Sequence, residues 1–247
     1  MTSPSLIAAV GEVGGDFFKE RDSSTLPCQA KPDEVFCFDW ARENIDRFGT
    51  PTVQHLELVL FSVVLGFAVA FALSLLAHRR TWLRPPLLVG TGILYTIPSI
   101  AFFFLLLPVT GLGRTTAIVV LAAYTLQIIY RNTMLGLANV PSSVKDAARG
   151  MGLTERQILW KVELPLATPE IIAGLRVAVV STVAIATLAV FISAGGLGTQ
   201  IYGSGNLTFP TSIIITIVIV MLMALLFDVV LLTLQRLTTP WRRAGLG

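Results

Sequence analysis

Apolar positions dominate this chain in long runs separated by short polar stretches. The runs fall at about 52–77, 87–107, 115–138, 171–192 and 212–234, the third interrupted by Arg131. A helix rises about 1.5 Å per residue, so runs of this length cross a hydrocarbon core about 30 Å thick. Leu, Ile, Val and Ala fill them without alternating polar positions, which argues against barrel strands. The pattern predicts an all-α, polytopic membrane protein with about five transmembrane helices, the third the weakest.

Composition agrees. The 247 residues are 54% hydrophobic and only 13% charged, and mean hydropathy is +0.76. Soluble domains carry about a quarter charged residues. Residues 1–50 hold five basic and nine acidic residues, a net of −4, and the remainder carries +7. With the N-terminus outside and the C-terminus inside, Arg79, Arg80, Arg84, Lys145, Arg149, Arg156, Lys161, Arg242 and Arg243 all fall in cytosolic segments. Of the thirteen basic residues after residue 50, the remaining Arg131, Arg176 and Arg236 lie near cytosolic helix ends, and only Arg114 is outside. That satisfies the positive-inside rule. The basic residues flank spans instead of forming a patch, so membrane lipid, and not nucleic acid, is the expected partner. The expected organisation is an extracytoplasmic segment over 1–50, with room for a short helix, a transmembrane domain over 51–239 containing a cytosolic loop at 139–168, and a cytosolic tail at 240–247.

The apolar stretch at 5–10 lacks the basic flank and the length of a signal peptide. Cys28 and Cys37 both lie in the acidic N-terminal segment. On the oxidising side of a membrane they are disulfide candidates.

Enzyme chemistry has no obvious seat. The chain lacks a phosphate-binding loop of the G-x-x-x-x-G-K-[ST] kind, H-E-x-x-H and G-x-S-x-G. His55 and His78 stand at opposite ends of the first apolar run, too far apart to share a metal. Gly195, Gly196 and Gly198 follow a membrane span and not a strand, so they do not read as a dinucleotide fingerprint. No catalytic or metal-binding residue and no bound cofactor is expected.

The stretch KDAARGMGLTERQILWKVELP, residues 145–165, is the exception to the apolar pattern. Ser143 and Asp146 have capping-box spacing, Gly152 suits a left-handed helix end, and Thr154 with Gln157 has the spacing of a second capping box. Ile158, Leu159 and Val162 give that second helix an apolar face, and Leu164-Pro165 is expected to end it. Ala147 and Ala148 are small where a surface helix is usually polar, so they would permit close approach by another surface. Two short helices hinged at a glycine, built for docking, are predicted between the third and fourth spans.

Asp146-Ala147-Ala148, then Gly152, then Val162-x-Leu164-Pro165 resembles the EAA loop, E-A-A-x3-G-x9-I-x-L-P, of ABC-importer permeases. Asp146 and Val162 are its two conservative departures. The strings QHLELVL, LYTIPSIA, YRNTMLGL, ARGMGLTERQILWKVELPLATPEIIAGLR and SAGGLG are similar to permeases that import quaternary-amine osmoprotectants. The likeness runs from about residue 40 to 205. It implies a type I importer-like permease in a bacterial plasma (inner) membrane, translocating glycine betaine, choline, carnitine or proline. It also implies partners: ABC ATPase subunits holding ATP and Mg, a second permease chain (identical or paralogous) and an extracytoplasmic substrate-binding protein. Asp146, Ala147, Ala148, Gly152, Val162, Leu164 and Pro165 would then couple to the ATPase. An amino-acid importer of the same class is the main alternative. A secondary transporter or channel would need intramembrane carboxylates, for which Asp228 is the one candidate, and usually an internal repeat.

Within the membrane, Tyr95, Pro98 and Ser99 mark a kink that either lines a translocation path or serves packing. On a path, Tyr95 could meet a quaternary ammonium by cation–π attraction. Phe102, Phe103 and Phe104 point in different directions and are read as lipid-facing by default. Gly195, Gly196 and Gly198 form either an outer gate or an ordinary turn. Arg131, Arg176 and Asp228 are expected to snorkel or to pair across helices.

Overall fold

A computed structural model describes residues 36–202 and 210–240. Among these the structure is entirely helical. The elements are α1 (Phe38–Asn44), a 3₁₀ turn (Ile45–Phe48), α2 (Gly49–Arg79), α3 (Arg84–Thr96), α4 (Ser99–Thr110), α5 (Arg114–Ala138), α6 (Ser142–Gly150) and α7 (Glu155–Ile158). There follow a π-helical turn (Leu159–Glu163), α8 (Leu164–Ala186), a 3₁₀ turn (Thr187–Ile192), α9 (Gly198–Tyr202) and α10 (Pro210–Thr238). Cys28 lies outside the described residues, and so does the pairing expected for it.

Among the described residues, four helical paths are long and apolar enough to cross a membrane: Phe38–Arg79, Arg114–Ala138, Glu155–Ile192 and Pro210–Thr238. The expected second span is broken instead of kinked. Thr81–Thr96 and Ser99–Thr110 meet at 101°, so the pair makes a fifth span or a re-entrant loop. The cause is local. The residue before a proline is pushed out of the α basin, and Ile97 sits at ψ 128 with Pro98 at ψ 130. The carbonyl of Ile97 leaves the helix ladder and accepts the Tyr124 hydroxyl from α5. A polar group at this depth needs such a partner.

The third span, expected to be the weakest, has the lowest mean hydropathy of the four, 1.3. It is nevertheless the central helix, packed against both α2 and α8, with α10 on the far side of α8. Lipid tails are as apolar as leucine, so close backbone approach and polar contacts must hold membrane helices together. Gly66 of α2 faces Thr125 and the Ala122 carbonyl, Gly136 faces the Ala167 carbonyl, and Gly174 faces Asn132. Phe102 and Phe103 are buried in this core, which corrects their reading as lipid-facing; Phe104 is exposed. The break at Pro98 turns α4 back so that this part of its surface meets α5.

Arg176 and Asp228 form a two-pronged ion pair from α8 to α10, both contacts 2.8 Å, of the planar kind that suits guanidinium and carboxylate. Of the two alternatives, snorkelling or pairing across helices, Arg176 and Asp228 take the second.

Candidate functional site

The 139–168 loop holds the two expected helical segments, but its punctuation differs from expectation at two points. Ser143 caps nothing. Pro141 takes the N-cap with φ −59 and ψ 140, and its carbonyl accepts Val144 N–H at 3.2 Å. The helix therefore starts at Ser142, Ser143 falls inside the first turn, and Asp146 instead bonds Arg149 at 2.9 Å. Gly152 does take the left-handed conformation, φ +81. Around it Leu153 N–H reaches the Ala148 carbonyl at 3.2 Å and Gly152 N–H the Arg149 carbonyl at 2.9 Å, the paired bonds of a Schellman end. Thr154 and Gln157 form the expected reciprocal capping box.

Leu164-Pro165 does not end the second helix. The helical path continues from Glu155 to Ile192. Proline usually breaks a helix because it lacks the N–H that bonds four residues back. Here the turn Leu159–Glu163 widens, and Leu164 N–H bonds the Leu159 carbonyl, five residues back. Pro165 thus sits where the bonding register changes, and its missing donor interrupts no regular ladder. Such π turns recur at functional sites.

The seven loop candidates divide by burial. Asp146, Ala147 and Gly152 are exposed, and Val162 and Pro165 are half-buried. Leu164 joins Leu137, Leu159, Ala167 and Ile171 in a buried cluster that Phe67, Phe71 and Leu75 of α2 cover. Ala148 is 1% exposed, so its small size serves packing within this chain and not an outer surface. The outward edge is completed by a residue that no sequence pattern flagged: Met151, 73% exposed. Beside it Arg149 bonds Glu155 at 2.8 Å. This bond holds the Glu155 carboxyl below its ordinary range and raises the Arg149 guanidinium further.

Under the loop lies a charge cluster that the sequence reading also left unassigned. Glu163 is 5% exposed. Its Oε2 meets His78 Nε2 at 2.8 Å, and its Oε1 accepts from Lys145 Nζ at 3.0 Å. A cavity of about 570 Å³ opens beside it, with Arg79, Arg84, Arg149 and Arg156 on its walls.

At the opposite end of α2, Gln54 and His55 hold the glycine-rich turn. Gln54 Oε1 accepts Gly196 N–H at 3.1 Å, and His55 Nδ1 accepts Leu197 N–H at 3.4 Å. His55 Nε2 lies 3.0 Å from the Val183 carbonyl. A carbonyl can only accept and an N–H can only donate, so these contacts fit the neutral tautomer with its proton on Nε2. Gly195 and Gly196 are both left-handed, while Gly196 and Gly198 are buried. These glycines make a tight turn and a close approach. Of the path candidates at the helix break, Tyr95 is 44% exposed, Pro98 is exposed and Ser99 is half-buried. The Tyr95 ring stands edge-on to Tyr124 at 5.8 Å, which in turn stands edge-on to Phe102 at 5.9 Å.

Comparison with known proteins shows the family of the chain. A family model described as "binding-protein-dependent transport system inner membrane component" matches residues 62–244. The carnitine transport permease protein OpuCB of Listeria monocytogenes is 36% identical over 199 residues, 81% of this chain and 91% of its own. The choline transport system permease protein OpuBB of Bacillus subtilis is 36% identical over 189 residues, 76% of this chain and 87% of its own. Among solved structures, an inward-facing MetNI methionine ABC transporter aligns with a TM-score of 0.70 at 22% identity, covering 78% of this chain and 96% of that one. At that identity the likeness is one of fold.

Proposed function

The chain belongs to the inner membrane components of binding-protein-dependent transport systems and is a non-catalytic permease subunit of an ABC importer; from that premise we propose that its cargo is a quaternary-amine osmoprotectant. Glycine betaine, choline and carnitine are the quaternary-amine candidates, with proline the one osmoprotectant candidate outside that class, and permeases named for carnitine and choline stand at 36% identity over most of this chain. The observation that carries the coupling half of the reading is the loop. Its outer edge of Asp146, Ala147, Met151 and Gly152 is exposed and closed by two paired caps, while its root at Leu164 is anchored in the bundle.

The mechanism is alternating access. The N-terminus lies outside, and a liganded extracytoplasmic binding protein docks there, with the turn at Gly195, Gly196 and Gly198 at its rim. Inside, two ATPase subunits hold ATP and Mg. Their closure moves the loop helices and reorients the spans. A second permease chain, identical or paralogous, completes the path, since five spans alone enclose little. Asp228, the carboxylate named for a gradient-driven carrier, is engaged by Arg176, and nothing in that pairing favours such a carrier.

Tyr95 lies just before the break at Ile97-Pro98 with its ring part-exposed, and in this reading it lines the path. Leucine at Tyr95 is expected to lower uptake of trimethylammonium solutes about three- to tenfold, the range that one cation–π contact supplies, with basal ATP hydrolysis unchanged. Uptake at the wild-type rate would return Tyr95 to packing against Tyr124.

The cargo is tested by reconstituting the chain with its ATPase and binding protein and measuring stimulated ATP hydrolysis across these solutes and a panel of amino acids. Stimulation by trimethylammonium compounds is expected. Stimulation only by amino acids other than proline would establish the amino-acid importer instead.

A further inference from the structure

The buried carboxylate of Glu163 joins three elements that sequence keeps far apart. His78 is in the last turn of α2, Lys145 is in α6, and Glu163 closes the π-helical turn at the root of the fourth span. Its two oxygens are divided between the two partners at 2.8 and 3.0 Å. The short helix α6 packs chiefly on α7 and the π-helical turn, whereas α2 is a principal helix of the bundle. Glu163 therefore stands between the docking edge and the bundle, bonded to both.

Stability is a poor reason for this arrangement. Taking charges out of water offsets most of their attraction, and a well-packed apolar replacement is often as stable or more so. Charge-assisted hydrogen bonds supply fixed length and direction, which apolar contacts do not. A π turn beside the carboxylate adds a place where the helix can change register without breaking.

We propose that Glu163 is a positioning residue of the transport cycle: through Lys145 and His78 it transmits displacement of the docking helices to the first span. The proposal rests on the docking role of the loop. In operation the ATPase pulls on α6, Lys145 draws Glu163, and His78 carries the movement into α2. Without the link, the loop would move and the ATPase would turn over, while the first span lagged behind.

The test uses the whole importer in proteoliposomes and reads solute transported per ATP hydrolysed. The double variant Lys145→Met with Glu163→Leu replaces the ion pair by apolar side chains and leaves no unpaired carboxylate. It is expected to reach the membrane and melt close to the wild type, keep stimulated ATP hydrolysis, and lose at least about tenfold in solute per ATP. His78→Leu cuts only the arm to the first span and is expected to show the same loss. His78→Gln retains a donor and is expected to restore most of the ratio. A wild-type ratio in His78→Leu overturns the proposal, even if the double variant fails to assemble. Gly152→Leu serves as the reference for docking. If it uncouples while the His78 and Glu163 variants do not, docking stands and the link fails; if none of them uncouples, the docking reading itself fails.

Discussion

Leucine at Gly152 is expected to leave the permease in the membrane while separating ATP hydrolysis from uptake. Nothing lies within 4 Å of the position where a Cβ would stand, so no clash threatens the fold. The left-handed backbone, φ +81, costs an L-residue about 1–2 kcal/mol, which a bundle of this size tolerates. The side chain would project from the outward edge shared with Ala147 and Met151, where a partner has to approach closely. Loss of a central contact in a protein interface commonly costs about 2 kcal/mol or more, so solute per ATP should fall more than about tenfold. Uptake assays paired with phosphate release and quantified membrane levels check this. An unchanged ratio would contradict docking at this edge.

Alanine at Gly198 is expected to destabilise the chain itself. A methyl group there would overlap the carbonyl oxygen and carbon of Thr187, and backbone cannot swing aside as a side chain would. Overpacking of a tight site costs about 1–3 kcal/mol, and this one falls between the end of the fourth span and the turn that Gln54 and His55 hold. At about 2–4 °C per kcal/mol for a chain of this length, the apparent melting temperature in detergent should fall by roughly 5–10 °C. Gly90 of α3 has open space around its Cβ position, and alanine there should be neutral or slightly stabilising. Equal melting temperatures for the two variants would show that the close approach at Gly198 is not rigid.

How much of this was readable beforehand depends on whether the signal was local. The apolar runs were, because a bilayer sets helix length and each run declares itself. So were the left-handed Gly152 and the Thr154–Gln157 box, which involve neighbours within one turn. Pro98 announced a disturbance, but only the Tyr124 hydroxyl on a distant helix accounts for how the Ile97 carbonyl is satisfied across a 101° break. Pro165 misled because it was read against a regular ladder, whereas a π turn precedes it. Ala148 looked like an outer docking residue, and burial assigns it to the inside.

The histidines are the clearest case of information the sequence could not expose. Too distant from each other for a metal, each holds one end of the first span: His55 the glycine-rich turn through Val183 and Leu197, His78 the loop through Glu163. Glu163 lies 85 positions from His78, so no local pattern could connect them. The site candidates legible from the motif mark the outer face, and the residues that root that face in the bundle emerge only with the fold.

Import through this chain should be driven by ATP. This is tested most directly by uptake of labelled glycine betaine into proteoliposomes that contain this chain with its ATPase, with the binding protein outside and ATP inside. Accumulation should require lumenal ATP and the binding protein, and should persist when ionophores collapse every ion gradient. Accumulation driven by an imposed ion gradient without ATP would contradict it.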